Sequence, residues 1–348
     1  MNVKRSTSLL PVCIVLAALS TQPAHATASR EALAAESDQP ATPAPPAPQI
    51  FAPGIVSGPA NDGSSTFSPD GNTLYFTRST ANWTVILESR KIDGQWTKPT
   101  LASFSGEWPD SSPAMSPDGK FIVFQSTRPA TPLTVKPVEG QPIPGIVSNL
   151  WRVDRVGSGW SQPVRLPDAV NIGASIWKPS IAASGNLYLT VIDKTGQKRL
   201  YSSKFESGAY QPAQPLSFSD GTMQDVDPEI APDESFLVFC SSARLQGDPK
   251  DHLFIVAKQG ADWGPVVPIR YAGDDKYGFS TDDEPHLGQS NIYFSSDRAV
   301  PIHFPRTHEQ AEKDLDRLET WDNSNSNVWY LPVEPYLNAA KAASKGKS

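Results

Sequence analysis

Five short apolar runs recur along the sequence: Leu74-Tyr75-Phe76, Ile122-Val123-Phe124, Leu187-Tyr188-Leu189, Leu237-Val238-Phe239 and Ile292-Tyr293-Phe294, spaced 48 to 65 residues apart. Each is apolar at successive positions, which predicts a strand covered on both faces. Ahead of the first two stand Ser68-Pro69-Asp70-Gly71 and Ser116-Pro117-Asp118-Gly119; the later units keep Ala183-Ser184-Gly185, Pro232-Asp233-Glu234 and Gly288-Gln289. Proline fixes φ, and Asp and Gly accept the bend, so each run is the second arm of a hairpin. A third apolar segment follows in every unit: Val85-Ile86-Leu87, Leu150-Trp151-Arg152-Val153, Leu200-Tyr201, Leu253-Phe254-Ile255-Val256 and Val328-Trp329-Tyr330-Leu331. Four units end on an aromatic followed by proline, at Trp96, Trp160, Tyr210 and Trp263. Proline suits an outer strand, which need not donate every ladder bond.

Four antiparallel strands per unit, repeated five times, predict an all-β fold: a five-bladed β-propeller of four-stranded blades. A linear solenoid is the competing architecture, but it wants shorter repeats and caps. The last unit lacks its outer strand, whereas an unpaired aromatic-proline segment, Phe51 to Val56, precedes the first. An N-terminal strand completing the last blade is therefore expected to close the ring. The fifth unit carries an insertion at about 299–327, whose stretch His308 to Thr320 lacks Gly and Pro and suits a short surface helix with a stripe of Ala311, Leu315 and Leu318. The stripe fits against the propeller face, or the helix is a solvated decoration.

The flanks differ from the repeats. Lys4 and Arg5, an apolar run from Leu9 to Leu19 and Ala24-His25-Ala26 make a secretory signal over residues 1–26, cleaved near Ala26. The run is shorter than the roughly 20 residues of a spanning helix. A periplasmic or secreted domain without a stable membrane anchor is expected, and a monomeric one. Residues 27–49 are Ala- and Pro-rich and read as a disordered linker, 50–336 as the propeller, and 337–348 as a disordered tail. With Cys13 in the signal, Cys240 is a lone thiol in an apolar run and reads as a small core hydrophobe. The formal charge of −7 becomes −12 once Lys4, Arg5, Lys341, Lys345 and Lys347 of the two ends are set aside. That excludes a nucleic-acid surface and admits cationic partners.

The units from Phe67 to Ser79 and from Met115 to Arg128, with Phe294-Ser295-Ser296-Asp297-Arg298 keeping a Ser-x-Arg ending, resemble the WD40-like (PD40) repeats of the TolB-type propeller superfamily. The resemblance spans about Phe51 to Pro335. It implies an envelope location and contacts with an envelope protein or polysaccharide. The sequence departs from TolB in having five units rather than six, and a Pro-rich segment in place of an N-terminal α/β domain. Propellers of this superfamily also sit on prolyl peptidases and pectate-type lyases, but no Gly-x-Ser-x-Gly elbow is present here.

Candidate chemistry collects at one register, just ahead of each hairpin, where a propeller's first strands line the channel. There stand Asp62, Asp110, Asp225, Asp227, Glu229, Asp282, Asp283, Glu284 and His286, with Trp177 and Lys178 in the third unit. These residues orient the loop that leads into each blade, or they form a binding site at the channel mouth. Such a site would take a divalent cation, a cationic peptide segment, or a sugar stacked on Trp177. A third reading is glycoside hydrolysis or lyase chemistry, which asks for two carboxylates about 5 to 10 Å apart. No cofactor is expected beyond the cation. Trp96, Trp160 and Trp263 read as edge packing, and the Pro- and Val-rich loop Pro129 to Val147 as a rim for a partner. The expectation is thus a non-enzymatic binding module for an envelope protein or polymer, with a carbohydrate-active enzyme as the alternative.

Overall fold

The computed structural model describes residues 46–130, 147–272 and 280–345. The signal segment, most of the linker and most of the 129–147 loop lie outside them. Each unit is an antiparallel sheet paired in sequence order. Blade 1 runs Asn61–Phe67, Thr73–Ser79 and Thr84–Ile92, edged by Gln95–Trp96 and Thr100–Leu101. Blade 2 runs Asp110–Met115, Phe121–Ser126 and Asn149–Val156, edged by Gly159–Trp160 and Val164–Arg165. Blade 3 has Ser175–Ile181, Leu187–Ile192, Lys198–Ser203 and Gln214–Pro215. Blade 4 has Asp225–Ile230, Phe236–Ser241, His252–Gln259 and Asp262–Pro268. Blade 5 has Asp282–Gly288, Asn291–Ser296 and Asn327–Pro332, with Gln49–Ile50 as its outer strand.

The ring closes. First strands touch in cyclic order, and that of blade 5 meets that of blade 1. Five hydrophobic clusters fill the gaps between successive blades. The apolar runs supply them: Leu74, Phe76, Ile122, Phe124, Leu187, Leu189, Leu237, Phe239, Ile292 and Phe294 are all buried. Edge packing accounts for the aromatic column. Trp160 of blade 2 donates its indole N–H to the Tyr75 hydroxyl of blade 1, 3.1 Å away, and Trp96 of blade 1 packs beside Phe51 and Phe67.

The hairpins form as their sequences dictate. Ser116 Oγ donates to Asp118 Oδ1 at 2.8 Å and accepts from Phe121 N at 3.0 Å, while Gly119 sits at φ 71°. Blade 4 has Glu234 in that left-handed position, at φ 58°. There the carboxylate accepts the Tyr188 hydroxyl of blade 3 at 2.6 Å, a tie between blades that a glycine would lack.

Two boundaries move. The closing strand is Gln49–Ile50, opposite Tyr330 and Trp329, rather than Phe51 to Val56. The linker expected to end at 49 therefore gives way to the ring by Gln49. Phe51 donates its N–H to Val328 O at 2.8 Å, and the chain then turns through Val56, which is fully buried. The tail expected to be disordered from 337 instead contains helix α2, Glu334–Lys345, with Tyr336, Ala340 and Ser344 buried. This helix packs on the third and fourth strands of blade 4. No aromatic hairpin can come from blade 5 to cover that gap, since its outer strand comes from the N-terminal side.

The insertion holds helix α1, His308–Arg317, with a capping box in which Thr307 accepts from Gln310 N and the Gln310 side chain returns to Thr307 N. None of its residues is fully buried. Of the two readings of the stripe, the solvated one fits: Leu315 and Leu318 are 62% and 59% exposed. Among the described residues no helix is long and apolar enough to cross a membrane.

Candidate functional site

Each first strand breaks register once, after Gly63, Ser111, Trp177, Val226 and Asp283. The bulged residues are Ser64, Ser112, Lys178, Asp227 and Glu284, all with φ between 36° and 56°. One left-handed, non-glycine residue per blade thus stands on the channel wall, a strained conformation that surrounding structure must enforce. In four blades the next residue is proline, at 113, 179, 228 and 285, which removes a ladder donor at the bulge.

Two sets of hydrogen bonds between neighbouring blades brace this register. In the first, a second-strand hydroxyl accepts the N–H of the next blade's bulged residue: Ser112 N to Thr77 Oγ1 at 2.9 Å, Asp227 N to Thr190 Oγ1 at 2.8 Å, and Ser64 N to Ser295 Oγ at 3.1 Å. In the second, a first-strand side chain accepts the N–H three residues beyond the next bulge. Thr66 takes Met115 N at 3.1 Å and Ser180 takes Ile230 N at 3.0 Å. Glu229 takes Leu287 N at 3.1 Å, and His286 Nε2 takes Phe67 N at 3.3 Å. Glu229 and His286, picked out as candidate ligands, are thus rungs between blades.

They also meet each other. His286 Nδ1 is 2.9 Å from Glu229 Oε1, and the buried Lys178 Nζ lies 3.4 Å from Glu229 Oε2 and 2.9 Å from Pro285 O. Since Nε2 accepts the Phe67 N–H, Nδ1 carries the proton and donates to the carboxylate. Burial works to raise the Glu229 carboxyl, but Lys178 and His286 outweigh it and hold it at about 2.

Asp62 and Asp110 lie elsewhere. Both are fully buried and paired to an arginine at or just past the end of the second strand, Asp62 to Arg78 at 2.6 Å and Asp110 to Arg128 at 3.1 Å. Asp225 with Arg244 at 2.7 Å and Asp282 with Arg298 at 2.6 Å repeat the arrangement. Arg78, Arg128 and Arg244 also reach the carbonyls of Val56, Phe104 and Phe218. Gly58 and Gly106 donate N–H groups to Asp62 and Asp110. The pair therefore pins the loop leading into the blade. Blade 3 departs from the pattern, with Ser175 opposite Ile192.

What remains open lies at the end of the channel where the first strands begin. A cavity of about 250 Å³ there is lined by Ser111, Ser112, Gln125, Trp177, Lys198, Val226 and four acids, Asp227, Asp251, Asp283 and Glu284. Burial, then the neighbouring Glu284, push the Asp227 carboxyl up to about 7. Asp283 is raised well above the usual carboxylate range by burial and by the same two neighbours. Asp251 is raised by burial. Glu284 accepts the Ser295 hydroxyl at 2.7 Å. The face of Trp177 expected to stack on a sugar has the Lys198 ammonium 5.0 Å from its centre. Cys240 is fully buried, with Sγ 3.6 Å from Asp227 Oδ2; burial raises its thiol, in keeping with a core residue. Among the described residues, no group of three or more His, Cys, Asp or Glu side chains is arranged to hold a metal ion.

The opposite mouth is apolar. Phe67, Met115, Ile181, Ile230 and Leu287, one from each blade at the same register, line a cavity of about 270 Å³ with Glu229 and His286.

No family model matches the sequence, and no curated protein matches it. Solved structures do resemble the fold. A putative TolB from Agrobacterium tumefaciens is 18% identical, with 71% of this chain and 74% of that one covered and a TM-score of 0.44. A TolB from Acinetobacter baumannii is 13% identical over 78% of this chain and 54% of its own, with a TM-score of 0.42. A GH43_12 protein retrieved from a capybara gut metagenome is 14% identical over 83% and 54%, with a TM-score of 0.44. The chain thus spans about half the length of the last two. The likeness is one of fold. The five-bladed ring itself rests on the strand pairing, and at these values the neighbours say nothing of activity or partner.

Sequence reasoning found the acidic register but not its division into pinned and open acids. The signal was present in the x-Pro pairs Ser112-Pro113, Lys178-Pro179, Asp227-Pro228 and Glu284-Pro285, which mark the bulges. Asp251 and Lys198 escaped notice because they stand just before and at the start of third strands, remote in sequence from the register.

Proposed function

We propose that this propeller is an exported, non-enzymatic binding module whose acidic channel mouth receives a cationic group, an ammonium or guanidinium, of an envelope protein or polymer. The observation that carries this reading is the cavity bounded by Asp227, Asp251, Asp283 and Glu284 against the single cation Lys198. At about 250 Å³ it falls below the roughly 300–1,000 Å³ of small-molecule sites, which suits one inserted side chain better than two reacting sugar units. A cation entering it would relieve the repulsion among the acids and draw the proton off Asp227, so binding should strengthen as pH rises through about 7. Isothermal titration with a short Arg- or Lys-containing peptide tests this. Asp227→Asn with Glu284→Gln should abolish the heat, and an unchanged titration would remove the mouth as the site.

One observation favours the second reading, a glycan-cleaving enzyme. A carboxyl that keeps its proton near neutrality, Asp227, neighbours Glu284, and such a pair is the equipment of acid–base chemistry. Turnover on a glycan panel that disappears in the same double variant would establish it; absence of turnover in the wild-type protein would end it.

A further inference from the structure

We infer that the blade 5 insertion is a docking surface for a basic, amphipathic segment of a partner protein; this rests on the binding reading above and adds the partner's chemistry. A surface helix ordinarily turns its apolar stripe to the core. Here α1 does the reverse. Its half-buried positions are Ala311, Asp314 and Arg317, whereas Leu315 and Leu318 face solvent. The irregular segment before it adds Val300, Ile302 and Phe304, which are 42%, 45% and 76% exposed. Val300, Ile302 and Leu318 line a groove of about 530 Å³ between that segment and the helix.

Polar ties, together with Trp321 packed edge-on against Trp329 of blade 5, hold this arrangement in place. Arg306 pairs with Asp314, and Arg317 with Asp322 at 2.9 Å. Val300 N donates to Asp322 Oδ1 at 2.7 Å, and Asn323 and Asn325 both reach Pro59 O of the segment leading into blade 1, at 3.0 and 2.7 Å. Five large apolar side chains are thus presented on a fixed frame that does not need them. A patch of that kind marks a contact surface.

Charge selects the occupant. Between residues 299 and 327 six acids stand against three bases, and each base is already engaged by an acid. The insertion joins a second strand to a third, so it rises at the same end of the ring as the acidic mouth. An anionic lipid surface and a second copy of this acidic chain are both repelled from it. A segment with apolar residues on one face and Lys or Arg beside them matches on both counts.

The test uses the whole chain and a synthetic 18-residue helical peptide of leucine and lysine, with a leucine and glutamate peptide as its counterpart. Calorimetry should show the lysine peptide binding at least tenfold tighter than the glutamate one. Hydrogen exchange should show protection over residues 300–320. Leu315→Glu with Leu318→Glu, both at exposed positions, should weaken binding at least tenfold at an unchanged melting temperature. Undiminished binding in that variant, or equal binding of the two peptides, would overturn the inference. Protection confined to residues 225–229 and 282–286 would overturn it while leaving the channel reading standing. Adsorption to phosphatidylglycerol vesicles, or a dimer in sedimentation, that the double variant abolishes would assign the patch to a membrane or a second copy instead.

Discussion

Lys178 of blade 3 and Glu229 of blade 4 form an ion pair 3.4 Å long, both side chains almost fully buried, at the centre of the channel. Taking one partner away leaves the other charged and desolvated, which costs about 3 to 5 kcal/mol. Lys178→Met should therefore lower the melting temperature sharply. The double variant Lys178→Met with Glu229→Gln should recover part of the loss, because no bare charge remains. Thermal melts of the three proteins check this, and a double variant no better than the single one would deny the coupling.

Stability should peak in mildly acidic solution. Glu229 sits at about 2 in the fold against 4.5 when unperturbed, so its contribution is complete above about 4.5 and is lost as pH falls toward 2. Asp227 acts in the opposite sense. It keeps its proton up to about 7 in the fold against 3.8, so the folded chain binds more protons between those values and loses stability as pH rises through them. Asp283 shifts in the same direction. Melting temperature followed from pH 3 to 9 should fall on both sides of about pH 4 to 5. Asp227→Asn should raise it at pH 8 and change it little at pH 4.5; a lower melting point at pH 8 would contradict the assignment.

Closure on the N-terminal side can be dissected by length. A chain starting at residue 46 keeps the Gln49–Ile50 pairing and should melt like the whole protein, whereas one starting at 57 loses that strand and Phe51. Phe51 stacks edge-on against Phe67, Trp96, Tyr293 and Tyr330, with centroids 5.4 to 6.2 Å away. Phe51→Ala should cost about 3 kcal/mol, near the lower end for a large aromatic. Circular dichroism melts decide it: equal melting points for the two truncations would show that the strand does not close the ring.

Helix α2 should matter as much as a blade edge. Ala340 is fully buried, and Gln259 Nε2 donates to Ser344 O at 2.9 Å. Ala340→Asp, which places a carboxylate in that contact, should destabilise by several kcal/mol, and removal of residues 334–348 should do likewise. Indifference to both changes would mean the helix is ornamental.

The repeats were legible because each rests on local chemistry: a Ser-Pro-Asp-Gly turn, a doubly covered apolar run, an aromatic-proline edge. Closure was legible as a requirement, but its position was not. Gln49–Ile50 is too short to show a period, and the aromatic Phe51 beside it drew attention one step downstream. Helix α2 was missed because its inward positions, Tyr336, Ala340 and Ser344, include only one bulky side chain in a segment otherwise rich in Ala and Lys. The site was half legible. Acidity marked the register, but whether a carboxylate meets an arginine or a cavity depends on residues 16 to 19 positions away, such as Arg78 for Asp62 and Arg244 for Asp225.

The placement of Gln49–Ile50 and of α2 has a mechanical corollary. The first is hydrogen-bonded to the third strand of blade 5, and the second lies on blade 4 directly after that same strand. Tension between a tethered N-terminal side and a held C-terminal helix would fall on one sector, and blades 1 to 3 would be shielded until it gave way. The ring has a single latch, fastened from both sides, and any partner that gripped either end would hold the handle to it.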